Sequence, residues 1–409
     1  MEEWKEYKYT DLCTLIGGGT PKTSEPSYWG GDIPWLSVKD FGNDEKYVYS
    51  TEKTITEAGL NNSSTKLLRR DDIIISARGT VGAIAMLASE MAFNQSCFGI
   101  RSNDIVEQHY LYYLTKTKIS ELQKNSHGSV FDTITRDTFA KIDCVIPSKK
   151  IQRQIASILS SLDDKIEVNR KINENLEQQA QALFKSWFVD FEPFKNGEFL
   201  ESELGMIPKG WRVGKLGDIC ETNKRTYGSS FHEIIEYIDT GSVTNNIIDT
   251  IQILDPKIDK IPSRARRAIT EGDIIFSSVR PNQRHFAFMY NPNPRMVAST
   301  GFIVITANWS GYRYFIYQYL IQDDTISSLQ AIAEQSVSTY PSINVSDITN
   351  IKVVIPPDDI VGDYAALSCR FMREIDNNQQ ESRRLAELRD TLLPKLMSGE
   401  LKVNEVAAI

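Results

Sequence analysis

Two short apolar runs, Ile73–Ser76 and Ile274–Ser277, each end within four residues of an arginine, Arg78 and Arg280. An arginine set at the end of a buried strand can offer its planar fork of N–H donors to a phosphate or to a base edge. Around both lie turn-like stretches that mix Arg and Lys with Asn, Gln, Ser and Thr, the residue types that contact DNA backbone and bases. In the first half the candidates are Thr20, Lys22, Lys39, Arg78, Gly79, Thr80, Asn94, Ser96, Ser129 and Thr133. In the second they are Lys224, Arg225, Tyr227, Arg266, Arg267, Arg280, Gln283, Arg284, Ser299, Thr300, Tyr340 and Ser342. The plainer alternative is that any surface loop carries such residues. Arg78 and Arg280 stand apart because both follow a matched buried strand.

Chemistry of other kinds finds little to work with. There are only four histidines, and neither HExxH nor GxxxxGK[ST] occurs. Gly17-Gly18-Gly19 is not GxGxxG, and Asn291-Pro292-Asn293-Pro294 lacks the aromatic residue of an amino-methyltransferase loop. The five cysteines show no CxxC spacing. We therefore expect no catalytic, cofactor or metal site in this chain. The net charge of −8, taken for the whole chain, argues against a nucleic-acid partner. However, residues 151–205 carry 6 Lys/Arg against 10 Asp/Glu, and residues 358–405 carry 7 against 10, leaving the rest near neutral. Near-neutral domains can bear local basic faces. No apolar run reaches the ~18 residues of a membrane span, and the charged start MEEWKEYKYT is no signal peptide. A reducing cytoplasm is the expected compartment.

The loops need elements to hold them, and the sequence supplies these twice. Trp4–Cys13 matches Trp211–Cys220, Asp72–Arg78 matches Asp273–Arg280 with the arginine displaced by one residue, and Val145-Ile146-Pro147 matches Val354-Ile355-Pro356. After each match comes a seam with four-three spacing. Ile155, Leu159, Leu162, Ile166, Asn169, Asn173, Leu176, Ala180, Leu183 and Trp187 recur 209 positions later, from Tyr364 to Leu396. That is the pattern of a helix lying against a helix. Asn169, Asn173, Asn378 and Ser382 form a polar layer expected to fix its register. The apolar surplus at Phe184, Trp187, Phe188 and Leu396 is a candidate for docking a second protein, or for covering the adjoining domain.

The expected fold is α+β: two similar mixed domains separated by two long helices that pair as an antiparallel coiled coil, with an internal pseudo-twofold repeat. The expected boundaries are a first domain at 1–147, a first helix region at 148–192, a linker and second domain at 193–357, a second helix at 358–401 and a tail at 402–409. The stretch Val189–Gly210 reads as linker, and Tyr110–Leu122 and Tyr314–Leu329 as one helix per half. The first seam, Ile155–Trp187, would span roughly 50 Å at about 1.5 Å per residue.

These features resemble the specificity subunit of type I restriction–modification enzymes. The resemblance rests on Gly18-Gly19-Thr20-Pro21, Tyr28-Trp29-Gly30-Gly31-Asp32-Ile33-Pro34-Trp35, Asp71–Arg78, Gln181–Phe188 and Leu392–Gly399. The second half lacks the Gly-Gly-Thr-Pro loop. The resemblance implies a non-catalytic subunit whose two target recognition domains each read one part of a split, asymmetric double-stranded DNA site, with the helices as a ruler. It also implies two methyltransferase subunits bringing S-adenosylmethionine, and translocase–nuclease subunits using ATP and Mg. Two alternatives stay open: a related system that methylates without restricting, and a stand-alone two-domain binding scaffold.

Overall fold

The computed structural model describes residues 4–42, 45–125, 133–228, 231–335 and 340–406. The chain divides into two compact units, residues 1–168 with 381–409 and residues 169–380. Each unit mixes α and β, and each repeats the other's strand order. In the first, the strand entering the domain, Lys5–Lys8, pairs antiparallel with the strand leaving it, Asp143–Ile146. In the second, Arg212–Lys215 pairs with Lys352–Ile355 in the same register, Arg212 opposite Ile355 as Lys5 is opposite Ile146. Entry and exit are thus tied together at the base of each long helix.

Two sheets fill each domain. The first unit orders one sheet as Cys13–Gly17, Cys97–Ser102, Ile73–Ser76, Ile84–Leu87 and Tyr47–Val48. The second unit answers with Cys220–Thr222, Phe302–Ala307, Ile274–Ser277 and Phe286–Phe288. The other sheet runs Lys53–Ile55, Trp29–Leu36, Met91–Phe93, Leu67–Leu68 in one unit and Gln252–Leu254, Ile235–Ile238, Met296–Ser299, Ala265–Ala268 in the other. Each has one parallel pair at the same place, Trp35 beside Ala92 and Tyr237 beside Val297. Ile73–Ser76 and Ile274–Ser277 are buried at every position, which is why they are continuously apolar instead of alternating.

The long helices run Lys149–Phe188 and Asp358–Ser398, and each contributes one part to each unit. Within a unit the two helical parts pair antiparallel. In the first, Lys165 meets Glu381 and Asp163 meets Arg389. In the second, the Asn169 amide donates to the Asn378 carbonyl, and the Asn173 amide to the Ile375 carbonyl. The seam is buried where the spacing places it, at Ile155, Leu159, Asn169, Ala180, Tyr364, Ile375, Asn378, Leu392 and Leu396. Each large apolar side chain there contributes about 1.5–3 kcal/mol. Pro394 sits within the last turns of the second helix, and Gly399, with φ +78°, ends it.

Two expectations need correction. Tyr314–Leu329 is not one helix but two, Tyr312–Leu320 and Asp323–Glu334. Gln322 turns extended (φ −60°, ψ 141°) between them, and Asp323 and Asp324 begin the new helix, where its N-terminal dipole favours acids. The apolar spacing runs straight through this break and hides it. Likewise Val189–Gly210 contains a β-hairpin, Phe199–Ser202 with Gly205–Pro208. The Ser202 hydroxyl accepts from the Leu204 N–H and donates to the Gly205 carbonyl, and Gly205 takes φ +95°.

Candidate nucleic-acid interface

In the first unit the candidate loops converge at one end of the sheets. The Ala77 N–H donates to the Ser96 carbonyl at 2.7 Å, and the Ile134 N–H to the Ala77 carbonyl at 3.0 Å. The Asn94 N–H reaches the Leu36 carbonyl, and the Asn94 side chain accepts from the Ser96 N–H at 3.0 Å. The Thr20 hydroxyl bonds Gln95. These bonds bring Thr20, Arg78-Gly79-Thr80, Asn94–Ser96 and Thr133 together. Gly18 and Gly19 allow it: a Cβ on Gly18 would lie 2.1 Å from the Asn94 carbonyl oxygen, and one on Gly19 2.4 Å from the Thr65 nitrogen. Arg78, Gly79, Thr80, Lys22 and Lys39 are exposed. Lys39 follows Leu36 in a short turn, and the Lys22 carbonyl accepts from the Trp29 indole at 3.3 Å. Ser129 lies outside the described residues.

The second unit gathers its loops at the corresponding end. The Ser278 N–H donates to the Gly301 carbonyl, the Arg280 N–H to the Pro341 carbonyl at 2.9 Å, and the Ile343 N–H to the Ser278 carbonyl at 2.8 Å. The Thr300 N–H donates to the Arg264 carbonyl, and the Tyr227 N–H to the Arg266 carbonyl. Arg280 lies with its guanidinium 5.1 Å from the centroid of the Tyr340 ring. Gln283, Thr300 and Tyr340 are exposed and Ser342 half-buried. Arg267 is half-buried, its Nε has no hydrogen-bond partner among the described residues, and burial lowers its pKa.

Several candidates prove to be engaged elsewhere. Arg225 donates to the fully buried Asp273 carboxylate at 2.8 Å and to Thr270, at the far end of the strand from Arg280. It is a structural cation, not a loop reader. Arg284 pairs with Asp323 at 2.5 Å, Lys224 with Glu221 at 3.0 Å, and Arg266 bonds the carbonyls of Gly228 and Ser263. Ser299 is buried within its strand. Of the partner-docking set, Phe184, Phe188 and Leu396 are corrected, while Trp187 stays half-buried. Phe184 and Phe188 are buried in the second unit's own core against Phe315 and Tyr364, and Trp187 packs on Phe194 and Tyr364. Leu396 is buried in the first unit's core. An apolar surplus beside a seam requires burial but does not say against what, and here the adjoining domain supplies it.

Of the polar layer, Asn169, Asn173 and Asn378 come together, the Asn378 amide donating to Asn173 Oδ1 at 2.8 Å; Ser382 lies in the other unit. Sequence reasoning passed over two fasteners between helix and domain. In the first unit, Asp163 bonds both Arg389 and Tyr113, and Lys46 donates to Ser160. In the second, Asn246 donates to Glu177 while its carbonyl accepts from Gln379. Arg389 sat on the seam itself, and a cation at a core position signals a buried acid partner. Asn246 gave no signal beyond an Asn-Asn turn.

Among the described residues no group of His, Cys, Asp or Glu could hold a metal ion, and no helix is long and apolar enough to cross a membrane. The five cysteines are free. What the arrangement offers is recognition: two clusters of exposed donors, each on a rigid sheet end, each fed by a buried strand.

Known proteins agree. The family model for the type I restriction modification DNA specificity domain matches residues 1–178 and again 208–388. The type I restriction enzyme MjaIX specificity subunit of Methanocaldococcus jannaschii is 33% identical, across 99% of this chain and 95% of that one. The HindI specificity subunit of Haemophilus influenzae is 24% identical, across 98% and 100%. The crystal structure of a type I restriction-modification S subunit from M. genitalium superposes with a TM-score of 0.54 at 16% identity, covering 97% of this chain and 96% of that one, and shows the shared fold. With two copies of the family's domain and relatives matched from end to end, the chain belongs to the DNA specificity subunits of type I restriction–modification systems.

Proposed function

We propose that each unit reads one part of a split, asymmetric DNA target through its loop cluster, and that the long helices set the gap between the parts. The observation that carries this reading is the repeat: both units gather exposed or half-buried Arg, Asn, Gln and Thr at the same end of the same sheets, with different residues in the two clusters. Different loops on a repeated frame favour two different half-sites. A gap of roughly 50 Å corresponds to at most about 15 base pairs at about 3.4 Å each, so the half-sites would lie near one helical turn apart. The chain then works with two methyltransferase subunits carrying S-adenosylmethionine, and with translocase–nuclease subunits that use ATP and Mg. A system that methylates without restricting fits the same geometry.

The test is a methylome. Residues 1–147 are exchanged for those of a relative, the chain is expressed with its methyltransferase, and methylated motifs are mapped. One half of the motif should change and the other half and the gap should stay. An unsplit motif, or one indifferent to the exchange, overturns the reading; a chain that ignores DNA within the complex is the scaffold alternative.

A further inference from the structure

The hairpin after the buried strand differs between the units in one telling respect. In the first unit, Gly79 (φ +78°) and Gly82 (φ +92°) take its left-handed positions, where glycine meets no steric penalty. Asp72 and Ile73 align with Asp273 and Ile274, so Gly79 corresponds to Arg280; Arg284 stands where Gly82 does, one residue having been added. Both arginines adopt positive φ, +49° and +56°. The strain has an evident use at Arg284, which pairs with Asp323. Arg280 has no carboxylate partner among the described residues. It is instead fixed from three sides. Its N–H donates to the Pro341 carbonyl, its carbonyl accepts from the Gln283 N–H, and its guanidinium lies on the face of Tyr340. A strained non-glycine residue persists when its surroundings hold it there, and such residues cluster at functional sites.

We infer that Arg280, stacked on Tyr340, reads a guanine in the half-site taken by the second unit. This rests on the DNA-specificity reading above and assigns within it a specificity-determining residue and the base it selects. A guanidinium carries donors and no acceptor, so its fork matches a base edge with two acceptors and no donor. In the major groove only guanine, through O6 and N7, presents that edge; adenine and cytosine each place an amino donor there, and thymine a methyl group. A phosphate can accept the same fork, but it does so at any sequence, so discrimination at one base pair separates the two contacts. The stack on Tyr340, itself 58% exposed, orients the fork before binding and reduces the freedom lost on contact.

The test compares Arg280→Gly, Arg280→Lys and Tyr340→Phe in the full chain, assembled with the methyltransferase. Arg280→Gly installs the residue the first unit carries there and relieves the left-handed strain, so its melting temperature should match or exceed the parent's. Binding is measured on duplexes in which each base pair of the second half-site is replaced in turn. Arg280→Gly should lose about tenfold to a hundredfold of discrimination at one guanine only. Arg280→Lys should lose it too, and Tyr340→Phe, which keeps the ring, should retain it. Uniform weakening over all sequences, with a salt slope shallower by about one, would make Arg280 a phosphate contact and overturn the assignment. Unchanged discrimination would overturn it too. A parent complex without a split motif would instead overturn the specificity reading beneath it.

Discussion

Asp163 and Glu177 are both buried carboxylates of the first long helix, one in each unit, and each accepts a hydrogen bond from a tyrosine of its own domain. They are kept in opposite ways. Asp163 faces Arg389 at 2.8 Å, with both side chains at most 4% exposed, and takes the Tyr113 hydroxyl at 2.5 Å. Burial and the adjacent acid push the Tyr113 phenol far above its ordinary range. Glu177 pairs with no cation among the described residues; it accepts from Asn246 at 2.6 Å and Tyr317 at 3.1 Å, with the Gln318 side chain also beside it, all neutral. Burial raises its pKa against those hydrogen bonds. The contrast shows that one fold can fasten domain to helix by an ion pair or by a hydrogen-bonded acid. The two solutions should fail differently.

The largest effect belongs to the ion pair. Asp163→Asn removes the buried counter-charge of Arg389 and leaves it the more exposed Asp390 at 2.8 Å, which should cost the first unit up to about 3–5 kcal/mol. At the repeat-related positions, 209 residues away, the second unit has Met372 and Ala180, both buried. The double variant Asp163→Met with Arg389→Ala copies that apolar pair and should recover most of the loss. Denaturant unfolding followed by a probe in the first unit checks both. A double variant no more stable than Asp163→Asn would mean that the pair carries more than its own charges.

What the sequence made legible follows the same physics. Both seams and the repeat were plain, because a 209-residue recurrence of four-three spacing has few other causes. Ile73–Ser76 and Ile274–Ser277 were plain because three large apolar residues between an aspartate and a serine leave little choice. The Phe199–Pro208 hairpin was hidden, since both its faces are largely exposed and no hydrophobic period marks it. Among the candidate readers, side-chain type placed the loops but not their partners. Nothing local to Arg225 reveals a carboxylate 48 residues away, and nothing local to Phe184 tells domain cover from partner dock.

Asp72 and Asp273 sharpen the comparison at a second place. Each opens the buried strand, and each caps the turn before it, accepting from the Arg69 or the Thr270 N–H. Asp72 takes its cation from the adjacent strand, Arg101 Nε at 2.8 Å. In the second unit Thr306 occupies Arg101's place and donates to Asp273 at 2.6 Å, and Arg225 arrives from another segment to supply the charge. Arg225→Gln should therefore lower the second unit's stability by about 1.5–3 kcal/mol, the worth of hydrogen bonds to a charged group, and leave the recognised sequence untouched. A changed motif with unchanged stability would restore Arg225 to the reading surface.

Glu177→Gln should give the smallest effect and the most diagnostic one, because its sign depends on pH. The folded chain holds the Glu177 proton above the ordinary 4.5, whereas the unfolded chain releases it there. Between those two values the folded state binds more protons, so this group lowers stability as pH rises through the interval. Glutamine cannot titrate. Its carbonyl still accepts from Asn246 and Tyr317, and its amide offers a donor toward Gln318, whose Oε1 is buried without a hydrogen-bond partner among the described residues. The variant should melt with the parent near pH 4 and above it at pH 8, the gap opening as the parent's carboxyl ionises. Thermal melts at a series of pH values measure this directly. A gap of constant size from pH 4 to pH 8 would show that Glu177 is not held protonated by burial, and the distinction between the two fasteners would reduce to packing.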